Sequence, residues 1–200
     1  MPEITTIDLS MELVADIIDP PQPRDESKPH ISDLISYARN PSETPEEKEA
    51  QLQGARESGI MALGRIWEFA SRRWIEDRAK ALGFRFIPHP LGTADGVVGS
   101  LDGLFLPKNE APVSWDGQPP TVVEVKLRFA KPSDPANNWR WMSQIKSYCH
   151  TYRTQAAYLL AMHVTSNPPH VWCQEHYLIF SQKEIDSNWA MILSAKESRG

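Results

Sequence analysis

The sequence predicts an α/β domain in which a mixed central β-sheet lies between helices. Three observations carry that expectation. Thr121, Val123, Val125, Leu127 and Phe129 alternate with Val122, Glu124, Lys126 and Arg128, the period of a strand whose successive side chains point to opposite faces. Two stretches, Pro45 to about Leu82 and Asn138 to Arg153, instead repeat apolar residues every three or four positions, as amphipathic helices do. The periodic segments then run α-β-β-β-α-β-β-α, with strands and helices intermixed rather than segregated.

Taken in order, residues 1–46 are acidic and proline-rich, notably Asp19-Pro20-Pro21-Gln22-Pro23, and read as an arm ahead of a domain spanning 47–200. One short helix, His30 to Arg39, lies inside the arm between Pro29 and Pro41, with His30 expected in an exposed loop. On the long helix that follows, Ile60, Leu63, Trp67, Ala70 and Trp74 form an apolar stripe, and Gly83 closes it. Gly64 and Glu68 sit one turn apart beside that stripe. A glycine there costs about 1 kcal/mol of helix propensity and points to a close approach by another backbone or a ligand.

Phe84 to Ile87 reads as a strand, and His89 to Gly96 as a turn-rich stretch. Val97 to Leu106 reads as a second strand with Asp102 at its middle, where aspartate is disfavoured. Residues 107–119 are a polar loop leading to the strand of Glu124 and Lys126. If the two strands pair antiparallel, Asp102, Glu124 and Lys126 meet at one edge of the sheet. On the second helix Trp141, Ile145, Cys149 and Tyr152 form the apolar stripe, with Gln144 and Tyr148 alongside at i,i+4. Ala157 to Val164 and Val171 to Phe180 are strands, and Ser181 caps a closing helix that runs to Ser194.

Composition bounds the function. The 200 residues suffice for one domain with a core, and 40% hydrophobic with 24% charged residues is ordinary for a globular chain. No apolar run approaches the roughly 18–20 residues that span a bilayer, and the acidic start lacks the pattern of a secretory signal. Cys149 and Cys173 make neither a disulfide framework nor a four-cysteine metal site, so a cytoplasmic setting is expected. The net charge of −5 is unevenly spread. Residues 1–64 carry 13 acids and 5 bases, residues 65–153 carry 9 and 13, and residues 154–200 carry 4 and 3. The basic middle suits a polyanion once its site carboxylates are offset by a cation; uneven surface charge is the plainer alternative.

Asp102, Glu124 and Lys126 together suggest phosphodiester cleavage. Two carboxylates can hold Mg²⁺ while leaving room for water and substrate oxygens. Such an ion activates water and neutralises phosphate charge, and a lysine can orient the water and stabilise the transition state. Glu68 is a candidate third carboxylate. Glu-x-Lys alone is not distinctive, since Glu46-Glu47-Lys48 also occurs; the strand setting and the preceding aspartate single out the one at 124–126. Without catalysis, the three charges would be an exposed sheet face with a cross-strand ion pair.

Gly64-x-x-x-Glu68, Gly99-Ser100-Leu101-Asp102-Gly103, Glu124-Val125-Lys126 and Gln144-x-x-x-Tyr148 together resemble the PD-(D/E)XK nuclease superfamily, in its branch of lambda-type phage exonucleases and RecB-like nuclease domains. The resemblance covers roughly residues 60–180 and implies a restriction-endonuclease-like α-β-β-β-α-β core. It implies a Mg²⁺-dependent deoxyribonuclease (Mn²⁺ substituting), an exonuclease that acts on DNA in recombination, repair or phage replication. Asp102, Glu124, the Val125 carbonyl and Glu68 would hold the metal, Lys126 would serve the water, and Gln144 and Tyr148 would contact the nucleic acid. Leu101 replaces the proline that names the motif. The clustered cysteines of iron–sulfur members are absent, so no cluster is expected. A recombination or single-strand annealing protein and a second copy of the chain are further partners that the resemblance allows.

Several assignments stay open. An endonuclease of the same fold and a non-catalytic DNA-binding or scaffold module remain alternatives. Asp95 could be an additional ligand, although Asp95-Gly96 reads first as a turn. His89 could join the metal or be structural; His150, His163, His170 and His176 lack ligand spacing. Arg72, Arg73, Arg128, Lys131 and Lys146 are candidate phosphate contacts, of which Arg72 and Arg128 are the site assignments. Trp139, Arg140 and Trp141 offer either a stacking platform or core residues.

Overall fold

In the computed structural model, which describes residues 27–42, 44–57, 60–107, 119–166 and 169–199, the strand predicted from alternation becomes the middle of a five-stranded mixed sheet. The elements are α1 (Ile31–Arg39), α2 (Pro45–Glu57), α3 (Ile60–Ala81), β1 (Phe84–Pro88), β2 (Leu91–Ala94), β3 (Val97–Ser100), β4 (Gly103–Pro107) and β5 (Thr121–Arg128). After a 3-10 turn (Pro135–Asn137) come α4 (Trp139–Thr151), β6 (Ala156–Ser166), β7 (Pro169–Ile179) and α5 (Gln182–Arg199). The sheet order is β1-β4-β5-β6-β7, and β2 with β3 forms a separate hairpin. Only β5 and β6 run parallel, joined through α4; the other pairs are antiparallel. The predicted fold class holds. No helix of the described residues is long and apolar enough to cross a membrane.

Both faces of β5 are covered, which is why its first five residues are all buried. On one face Val122, Leu159 and Ala161 pack against Ile145, Tyr148 and Cys149 of α4, Ile31, Leu34 and Ile35 of α1, and Ile185 and Ile192 of α5. On the other face Val123, Val125, Phe105, Tyr158 and Leu160 pack against Ile75 and Ala79 of α3. Local signals set the helix ends. Thr44 and Glu47 exchange side-chain-to-amide bonds at the start of α2, as Ser181 and Glu184 do at the start of α5. Asn138 accepts from the Trp141 amide at the start of α4, and Gly83, at φ +81°, ends α3.

Three expectations change. The segment Val97 to Leu106 is two strands, because the chain changes partner at Leu101-Asp102: β3 pairs with β2, whereas β4 joins β1 and β5. Asp102 therefore sits at a break and not in mid-strand. The predicted helix from Pro45 to Leu82 is helical over Pro45–Glu57 and Ile60–Ala81, with residues 58–59 outside the described ones. Along α3 the buried line is Ser71, Ile75 and Ala79, while Trp74 is 56% exposed and donates its indole N–H to Glu175. The stripe is turned because small residues let the helix approach the sheet, and an amphipathic indole is satisfied at the rim. Finally, residues 31–39 are no arm: Ile31, Leu34 and Ile35 are fully buried, and His30 forms a bridge with Val98 instead of lying in a free loop. Residues 1–26 and 43 of the predicted arm lie outside the described residues.

Candidate active site

Glu124 and Lys126 share the sheet face that α4 covers, because they are two residues apart on β5. Continuing the β4–β5 register one step beyond Gly103↔Val123 sets Asp102 opposite Glu124. There the ladder has ended, and the Asp102 side chain takes over its role: its Oδ2 accepts the Val125 amide N–H at 2.6 Å. The backbone of Asp102 is fixed as well, since its carbonyl accepts from the His89 amide at 3.3 Å. His89, at φ +46°, is gripped through its ring Nε2 by Arg72 at 2.7 Å.

The glycines around Asp102 make this packing feasible. A Cβ on Gly99 would stand 2.7 Å from Ile31 and 2.8 Å from the Tyr148 ring, and one on Gly103 would stand 2.1 Å from the Phe86 ring. Tyr148 uses that close approach. It is 3% exposed, its hydroxyl donates to the Ser100 carbonyl at 2.7 Å, and it accepts from Gln144 at 2.8 Å. Its polar contacts thus run to the chain just before Asp102, with Gln144 next outward.

Glu124 is 1% exposed. Lys126 Nζ donates to its Oε1, while Oε2 is buried with no hydrogen-bond partner among the described residues. Burial, and then the Asp102 charge, push the Glu124 carboxyl up to about 8 against the opposing pull of Lys126. Burial also works against the Lys126 charge, but Glu124, Asp102 and Glu68 together hold that ammonium above its usual range. Burial and the Glu124 charge raise Tyr148 well above an ordinary phenol. Lys126 is therefore a cation and Tyr148 a neutral donor at physiological pH.

Glu68 lies three residues before Ser71 on the sheet-facing line of α3, and its charge is felt at Lys126. The structure brings Asp102, Glu124, Val125, Lys126 and Tyr148 together around the middle of β5, with Gln144 bonded to Tyr148 and the Glu68 charge reaching Lys126. Arg72 is directed to His89, with its guanidinium also 5.4 Å from the Phe69 ring centre. Arg128 lies farther along β5 and donates to Ser133 at 2.8 Å. Gly64 meets nothing within 4 Å of a built Cβ, so no described part of the chain makes the close approach its glycine suggested. Asp95 belongs to the β2–β3 turn, at φ +50°, and accepts the Trp189 indole N–H at 2.7 Å.

Among the described residues no three His, Cys, Asp or Glu side chains form a ready cation site. Two carboxylates with a buried oxygen left over nevertheless fit Mg²⁺, which is commonly held by one or two carboxylates and completes its shell with waters and substrate oxygens. Sequence reasoning missed the links from Arg72 through His89 to the Asp102 backbone, and from Tyr148 to Ser100. Only the positions, not the pairings, are visible in a sequence. His163, set aside in the sequence for want of ligand spacing, is buried on the β6 face beside Arg128 with both ring nitrogens unpartnered among the described residues.

No family model and no curated protein matches the chain. Among solved structures it is similar to SSO0001, with a TM-score of 0.54 and 13% identity over 88% of this chain and 77% of that one. It also matches an alkaline exonuclease (LHK-Exo) from Laribacter hongkongensis, with a TM-score of 0.48 and 13% identity over 86% and 88% of the two chains. The same exonuclease in complex with dAMP gives 0.46 and 14% over 86% and 88%. These likenesses are of fold alone.

Proposed function

We propose that this protein is a Mg²⁺-dependent deoxyribonuclease, an exonuclease acting in DNA recombination, repair or phage replication. The observation that carries the proposal is Glu124. Its carboxylate is almost wholly buried, has one oxygen on Lys126 and leaves the other unpartnered among the described residues. A buried ion pair is a poor device for stabilising a fold, because desolvation offsets its attraction, and an added Asp102 charge makes the arrangement worse. It becomes favourable when a cation is received.

Asp102 and Glu124 would hold that ion, with the Val125 carbonyl and Glu68 as further oxygen donors; Mn²⁺ would substitute. When bound, Mg²⁺ supplies charge neutralisation at the scissile phosphate and eases deprotonation of the attacking water. Before the metal binds, the surrounding carboxylates keep the proton on Lys126, so it meets the substrate as a cation. It orients the water and stabilises charge on the phosphoryl oxygens as the new P–O bond forms and the bond to the leaving oxygen breaks. The hydrogen bond to the Val125 amide holds Asp102 in position, which spares reorganisation during the reaction. Gln144, bonded to Tyr148, would meet the DNA, with Arg128 and Arg72 as phosphate contacts that position the strand without reading its sequence. A recombination or annealing protein and self-association are proposed partners.

The test is purified protein with linear and closed circular DNA, in Mg²⁺ and in EDTA. Resection of linear DNA in Mg²⁺ alone is expected. Nicking or cutting of the circle would make the enzyme an endonuclease, and no cleavage of either substrate would remove the hydrolytic reading.

A further inference from the structure

The chain from Val125 to Arg153 carries six basic residues and one acid, Asp134. That acid is committed locally, accepting the Ala136 amide at 2.9 Å in the turn before α4. Midway along this basic stretch, where α1 finishes and α4 begins, a cleft of about 410 Å³ is lined by Arg39, Asn137, Trp139 and Arg140. Trp139 is 44% exposed, although a tryptophan of its hydrophobic content is ordinarily covered. Among the described residues neither arginine is ion-paired; Arg140 makes one long contact, 3.4 Å, to the Ser36 hydroxyl. An open indole with two guanidinium groups in a concave site matches the chemistry of a base and its phosphate.

The cleft is also aligned with the site. Arg140, Gln144 and Tyr148 fall at i, i+4 and i+8 on α4, one ridge that rises about 6 Å per step. That step is comparable with the spacing of successive phosphates along a strand. The inner end of the ridge is Tyr148, bonded to Ser100 two residues from Asp102; the outer end is the cleft.

We propose that this cleft is a single-stranded DNA subsite, in which one base stacks on Trp139 while Arg39 and Arg140 hold its flanking phosphates. It rests on the nuclease reading and extends it: the strand reaches the metal-binding carboxylates along the α4 ridge, so the enzyme engages an unpaired strand about two helical turns from the cleavage point. A blunt duplex would use the subsite only after its end has frayed.

The experiment uses the full chain in EDTA, with a fluorescently labelled oligothymidylate and a blunt duplex, read by anisotropy. Trp139→Ala should weaken single-strand binding about 5- to 100-fold, and Trp139→Phe should restore most of it. Arg39→Ala with Arg140→Ala should lower the salt slope of binding by about 1.4, two phosphates' worth. Duplex affinity should change less in every variant. Single-strand affinity unchanged in Trp139→Ala and in the double arginine variant, while the wild type binds and cleaves, would overturn the subsite alone. A wild type that binds single strands through Trp139 yet cleaves nothing in Mg²⁺ would leave the subsite standing and remove the nuclease reading. A wild type that binds no single strand overturns the subsite.

Discussion

Metal-free protein should lose stability as pH rises from about 7 to about 9, and Glu124→Gln should remove most of that loss. In the fold, burial and then Asp102 hold this carboxyl up to about 8, against an ordinary value of 4.5. Across the chosen window the unfolded chain has already released the proton, whereas the native state is still releasing it. The native state therefore binds more protons, and stability must fall with pH. With a native value of about 8, the bound-proton advantage drops about tenfold over those two pH units, or about 1.4 kcal/mol. For a chain of this size that is about 3–6 °C in Tm. Other groups do not mimic the effect. Burial lowers His150 and His163, so they titrate below the window, and Lys126 is raised above it. Burial pushes Cys149 up to about 12, so it contributes a fall of the same sign, but one common to both proteins. In the variant Lys126 loses its main partner, and any resulting drop in its pKa only widens the difference. The assay is thermal or urea unfolding in EDTA at the two pH values. A wild-type loss no larger than the variant's would refute the electrostatic account of Glu124. Mg²⁺ added at about pH 9 should restore the wild type and not the variant.

Lys126→Ala should lower Mg²⁺-dependent cleavage at least about 100-fold, the size of losing one transition-state donor, measured as initial rate on linear DNA. Asp102→Asn can keep the bond to the Val125 amide while removing the charge that burdens Glu124; cleavage should be lost while metal-free Tm stays level or rises. Gly103→Ala drives a methyl into the Phe86 ring and should cost about 1–3 kcal/mol in urea unfolding, with partial recovery on adding Phe86→Leu. Tyr148→Phe should cost about 1 kcal/mol and weaken activity, because the Ser100 carbonyl and the Gln144 amide lose their shared hydroxyl.

The middle strand was legible because its two faces differ so sharply: valines against Glu124 and Lys126, with nothing in the local chemistry to excuse the charges. Asp102 was legible as a partner but not in its setting. Periodicity reports which residues could face together, whereas the break at Leu101-Asp102 arises from a change of strand partner that only the assembled sheet dictates. On α3 Trp67 packs against the core as the stripe predicts, but Trp74 drew its far end toward the wrong phase. The contact there is made by Ser71, Ile75 and Ala79, and the small Ser71 and Ala79 are a weak signal in a hydrophobicity pattern. Ile31, Leu34 and Ile35 had helical spacing all along, yet the prolines and acids around them pointed to a loose segment. The charge relations of Glu124 were likewise beyond reach, since burial to 1% is a property of the layers above it.

The seating of α1 gives the start of the described chain a mechanical role. Pro29 accepts the Val98 amide at 2.9 Å, and Ile31 presses on Gly99, three residues from Asp102. A tug or twist applied ahead of this helix is thus coupled in series to the acid that grips the Val125 amide, with little slack between them. Trimming the protein back to residue 47 would pull out a keystone along with the apparent leader.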